Sequence, residues 1–164
     1  MGCGSQLAIT RPVGIAAAVP LSERLLRMAE PEGDDGLRLQ AHHSGWTTWL
    51  HAGDPAKTRE HADAGRLLYN PEKHAFHRLV YGGHDPGVCA QISGAWAESL
   101  LGYPDKALAS ITKGLALAER IAHPFTLGLA LLLLRRFTSI AVSQREPCAN
   151  SMRPRRWLRS SGSR

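Results

Sequence analysis

Leu101-Gly102-Tyr103-Pro104-Asp105-Lys106-Ala107 closes one apolar pattern and opens another within seven residues. Glycine suits the left-handed residue that ends a helix, and proline suits the first helical position of the next. Downstream, Leu108, Ile111, Leu115, Ala118 and Ala122 recur at spacings of 3 or 4, opposite Lys106, Lys113 and Arg120. That is the rhythm of an amphipathic helix. Upstream, Val88, Ile92, Ala95 and Ser99 share one helical line, with Trp96 and Leu100 beside it. The stretch is therefore the turn of a helix–turn–helix. A matching turn, Ala52-Gly53-Asp54-Pro55-Ala56, lies 49 residues earlier, glycine to glycine. It joins a segment capped by Asp34 and Asp35, with the line Leu39, His42, Trp46 and Trp49, to one lined by Thr58, Ala62, Gly65 and Tyr69.

Further out, Leu21, Leu25 and Met28 mark one face of a helix starting at Pro20 and stopped by Pro31-Glu32-Gly33. Residues 70–85 read as a connector with a short helical turn over 72–80, ended by Gly82-Gly83. Asp85-Pro86 supplies a cap and an N1 proline, and His123-Pro124 opens a last helix over 125–137. No segment alternates with a period of two, the signature of a half-buried strand. The expected fold is all-α, with stacked antiparallel helix pairs over residues 20–137. A disordered leader is expected over 1–19 and a disordered Arg/Ser-rich tail over 138–164.

A formal net charge of +6 invites a nucleic-acid reading, but its distribution narrows the invitation. Residues 1–134 hold 12 Lys+Arg and 13 Asp+Glu, whereas residues 135–164 hold 8 Arg and one acid. Any nucleic-acid or acidic-surface binding would thus be Coulombic and confined to the tail, the alternative function that the sequence leaves open. Cys3, Cys89 and Cys148 are too scattered for a disulfide framework, so a reducing cytosol is expected. The longest apolar run, residues 127–134, is far short of the roughly 20 residues that span a bilayer.

These hairpins resemble tetratricopeptide-type repeats, in which a glycine closes the first helix and an alanine five residues later packs in the second. Gly102 and Ala107 fit that pattern well, and Gly53 with Thr58 fits it loosely. Four stretches also resemble the C-terminal repeat region of large bacterial signalling ATPases, many of them fused to adenylate/guanylate cyclase domains. They are Leu39-Gln40-Ala41-His42-His43, Tyr69-Asn70-Pro71-Glu72-Lys73-His74, Tyr81-Gly82-Gly83-His84-Asp85-Pro86-Gly87-Val88 and Leu101-Gly102-Tyr103-Pro104-Asp105-Lys106-Ala107. The resemblance covers residues 21–134 and implies a non-catalytic scaffold for a protein or peptide partner, a fragment or truncated relative of such a protein. Self-association through exposed repeat ends is a second expectation. No Gly-x-x-x-x-Gly-Lys-Ser/Thr phosphate loop is present, so no ATPase residue carries over. The Arg-, Ser- and Pro-rich tail departs from the repeats and reads as a frame shift near residues 134–138.

If Gly53 and Gly102 set the register, a concave groove would present Gln40, His43, Thr47 and His51, then Cys89, Trp96 and Ser99. Eight histidines also raise the question of metal. His74 and His77 lie three apart, with His84, Asp85 and Cys89 following, but no paired ligand spacing is evident. Core or capping roles are the simpler assignment, and no metal, cofactor or catalytic residue is expected. Cys89 with His84 as a nucleophilic pair is weaker still.

Overall fold

The computed structural model describes residues 12–145, and all regular structure among the described residues is helical. In chain order the helices are α1 (Pro12–Ala29), α2 (Asp35–Ala52), α3 (Pro55–Leu68), α4 (His77–Val80), α5 (Pro86–Leu100), α6 (Pro104–Ile121) and α7 (Pro124–Arg145). Helices α2 and α3 form one hairpin, and α5 and α6 form another. Helix α5 is the hub, packing against α2, α3, α6 and α7, while α1 packs on α2.

The two hairpin turns are built alike. In the first, Asp54 N–H donates to the Trp49 carbonyl at 3.0 Å and Gly53 N–H to that of Leu50 at 3.3 Å. In the second, Tyr103 N–H donates to the Glu98 carbonyl at 2.8 Å and Gly102 N–H to that of Ser99 at 3.1 Å. Both are Schellman closures, and each places its glycine in the left-handed region, at φ 80° and 85°. Asp34, Asp54 and Asp85 cap α2, α3 and α5 by accepting from Leu37, Lys57 and Val88 N–H. These caps stand where the sequence placed them.

Helix α1 begins at Pro12, so residues 12–19 are helical where a disordered leader was expected, and Pro20 lies inside the helix. The Ala16-Ala17-Ala18 run has high helix propensity and carries the helix through the one backbone bond that Pro20 cannot make. Its inward face also differs from expectation. Ser22 and Ala29 are buried, whereas Leu21, Leu25 and Met28 are about half exposed. Helix α7 likewise continues through residues 138–145, which were assigned to the tail. The remainder of the expected leader and tail, with the basic residues of 153–164, lies outside the described residues.

Small residues line the helix contacts. Ala62 and Gly65 on α3, Ala95 on α5, and Ala107, Gly114 and Ala118 on α6 are all buried. Leu108, first in the α6 apolar line, is instead 60% exposed. Across the hairpins, Arg66 of α3 reaches Glu98 of α5 at 3.0 Å and the Gln91 carbonyl at 3.1 Å. The second Glu98 oxygen accepts from Ser110 of α6 at 2.8 Å. One buried carboxylate thus ties three helices together.

Candidate functional site

Connector residues 69–85 fold back across the junction of the two hairpins and bury their histidines. His74, His77 and His84 are 4%, 2% and 5% exposed. Asn70 opens the connector with an Asx turn, its side-chain oxygen accepting from Glu72 and Lys73 N–H. At the other end, buried Asp85 accepts from Val88 N–H and from the Tyr69 hydroxyl at 2.9 Å. The Asp85 N–H donates to Thr126 Oγ1 of α7 at 3.1 Å. Burial, with the charge of Asp85 and its hydrogen bond, pushes the Tyr69 phenol well above its usual range, so it stays a donor. Asp85 therefore fixes both neighbours that matter, His84 just before the cap and Cys89 in the first turn of α5.

His43 of α2 meets this corner from the other hairpin. Its Nε2 lies 3.2 Å from His84 Nε2. Cys89 Sγ completes a buried triad whose ligand atoms all fall within 4.8 Å of one another. Each member has a partner behind it. His43 Nδ1 lies 3.1 Å from Gln40 Oε1, and His84 Nδ1 lies 3.0 Å from the Gly82 carbonyl. Carbonyl oxygens only accept, so each ring carries a proton on Nδ1 and turns its Nε2 inward. The Trp46 indole N–H donates to Cys89 Sγ at 3.4 Å, and its ring stacks on His43 with centroids 4.8 Å apart.

The electrostatics follow from that packing. Burial raises a thiol, yet the charges and hydrogen bonds of His43 and His84 outweigh it and hold Cys89 well below the ordinary value. Burial pulls His84 down, but its hydrogen bond to Cys89, the thiolate charge and the Gly82 carbonyl leave it raised. His77, by contrast, is lowered by burial and by nearby His74. It is engaged elsewhere, its Nδ1 taking the Gln40 amide N–H at 2.7 Å. His74 Nδ1 accepts from Asn70 N–H at 3.0 Å. Thus the i, i+3 pair is structural, and the ligand set forms from residues 41 and 46 positions apart in sequence.

The expected groove residues separate into two groups. His43 and Cys89 are buried, which removes them from any partner surface, and Gln40 is half-buried behind them. The connector covers that face of α2, with His77 on Gln40 and His84 on His43. Thr47, Trp96 and Ser99 are half-buried and His51 is exposed, with its Nδ1 2.7 Å from the Thr47 carbonyl. Trp96 holds its indole nitrogen buried with no protein acceptor among the described residues. A cleft of about 490 Å³ lies apart from all of these, lined by Ala56, Arg59, Glu60, Asp63, Leu101 and Tyr103.

No protein-family model matches the chain, and no solved structure matches it. It is 29% identical over 106 residues to an uncharacterized protein of Rhizobium meliloti (strain 1021). That match takes in 65% of this chain, which spans about a tenth of the length of that relative (10%).

Proposed function

We propose that the chain is part of a non-catalytic helical-repeat scaffold for protein–protein interaction. It is of tetratricopeptide-like type and similar to the repeat region of a multidomain adenylate cyclase/ATPase signalling protein. The observation that carries this reading is the hairpin made twice. The same Schellman turn and N1 proline recur, and α5 of the second hairpin lies against both helices of the first. Repeat units of this sort bury their apolar faces on their neighbours and leave the terminal faces bare. Helix α1 has such a face in Leu21, Leu25 and Met28, 59%, 48% and 58% exposed. The relative's much greater length is in keeping with further helical pairs seated there. His51, Thr47, Trp96 and Ser99 remain as the surface for a peptide. A cytoplasmic setting agrees with the unpaired Cys89, and no described helix is long and apolar enough to cross a membrane.

In isolation the bare α1 face should pair with a second copy. Sedimentation velocity is expected to show concentration-dependent self-association of the chain. Leu21→Glu with Leu25→Glu should abolish it while leaving the far-ultraviolet circular dichroism unchanged. A parent chain that stays monomeric at every concentration, or a double variant that associates equally well, would contradict the reading.

A further inference from the structure

We propose that His43, His84 and Cys89 form a binding site for a thiophilic divalent cation of the zinc class, a staple between the two helix hairpins. The inference stands on the buried triad and is independent of the scaffold reading.

Three arguments support it. The first is spacing. Two imidazole nitrogens bound to one tetrahedral zinc at about 2.0–2.1 Å lie roughly 3.3–3.4 Å apart. The two Nε2 atoms are 3.2 Å apart, with Sγ inside the same 4.8 Å envelope. The two nitrogens thus match one edge of a zinc coordination tetrahedron.

The second is the direction of the lone pairs. With Nδ1–H of His43 on Gln40 Oε1 and Nδ1–H of His84 on the Gly82 carbonyl, both Nε2 atoms are turned inward, where each neutral ring offers a lone pair. A shared cation takes the place of the proton held between these groups. Backing of a ligating histidine by a carbonyl oxygen on its other nitrogen is also the usual support of metal sites. The Trp46 N–H on Sγ gives the third ligand equivalent support.

The third is chemistry. A thiolate and two imidazoles suit zinc or its cobalt surrogate and disfavour magnesium and calcium, which take oxygen ligands. Binding releases one proton from the triad to solvent, so that Cys89 coordinates as thiolate and the two rings as neutral imidazoles, and the fourth tetrahedral position is left to water. All three ligand residues are less than one-tenth exposed, so the cation would join α2 to the α5 corner from within.

Chelator-treated full chain titrated with Co²⁺ provides the test. One equivalent should bring up a thiolate-to-cobalt charge-transfer band in the near ultraviolet and tetrahedral d–d bands in the visible. Zinc, which binds such ligands more tightly than cobalt, should bleach them. Cys89→Ser should lose the charge-transfer band. Gln40→Ala, which leaves all three ligands in place, should weaken binding about 10–100-fold. Circular dichroism of each variant confirms folding, and the Gln40 variant keeps the test decisive where a ligand variant fails to fold. Folded chain that shows no cobalt spectrum overturns the proposal. So does a charge-transfer band that survives Cys89→Ser, which would belong to Cys3 or Cys148.

Discussion

Glu98→Ala is expected to cost the fold about 3–5 kcal/mol, the range for breaking a buried ion pair by removing one partner. The Glu98 side chain is 7% exposed and that of Arg66 17%, so solvent does little to replace the lost carboxylate. Truncation leaves the Arg66 guanidinium with only half-exposed Asp63 and the Gln91 carbonyl, and it strips Ser110 of its acceptor. Three helices lose their common tie. Chemical denaturation of the two chains measures the difference. For a chain of this length it corresponds to a fall in Tm of about 10 °C. Replacing both partners, Arg66→Met with Glu98→Met, should lose markedly less than Glu98→Ala alone, because apolar groups of similar volume leave no buried charge unpaired. A double replacement as damaging as the single one would mean that the site stabilises through shape and not through charge pairing.

Gly65→Ala should destabilise by about 1–3 kcal/mol, the cost of overpacking a filled core, although alanine in a helix is normally better than glycine by roughly 1 kcal/mol. A Cβ at Gly65 would run into the six-membered ring of Trp46. That ring has nowhere to go. Trp46 is fully buried, stacked on His43 and held by its N–H to Cys89 Sγ. The substitution must therefore push α3 away from α2 or tilt the indole off the triad. Gly128→Ala on α7 serves as the control, since nothing lies within 4 Å of the added methyl, and it should stabilise by up to about 1 kcal/mol. Thermal melts of the two variants should move in opposite directions. Movement in the same direction would show that the α2–α3 contact is looser than the small-residue packing implies.

Much of the fold can be read from local chemistry. Asp34, Asp54 and Asp85 before their helices, and Gly53 and Gly102 after theirs, act through bonds within a few residues, so pattern alone locates them. Inward faces were harder. On α6 the apolar line does reach the core through Ile111, Leu115 and Ala118, with Leu108 left outside, whereas on α1 it is Ser22 and Ala29 that are buried while Leu21, Leu25 and Met28 stay exposed. Hydrophobic periodicity weights side-chain size, whereas close helix packing selects smallness. The triad was legible only in part. Cys89 and His84 stood out as a pair, but His43, like Cys89, was placed in an open groove, and no rule of spacing links it to residues 41 and 46 positions later. Only the return of the connector over α2 makes them neighbours. A signal did exist in the dense histidines of residues 42–84, which local spacing directed to His74 and His77 instead.

Two hairpins meet at a corner where both histidines turn their Nε2 atoms inward beside Cys89, a place ready for a cation. Long-range ¹H–¹⁵N correlation spectra of the zinc-titrated, uniformly labelled full chain report it directly. His43 and His84 should each show a protonated Nδ1 and a metal-shifted Nε2. An Nε2–H on His43 that persists in excess zinc would contradict the account. It would mean that the Gln40 amide is turned over, donating to His43 Nδ1, and that the pair is an ordinary hydrogen bond between two core histidines.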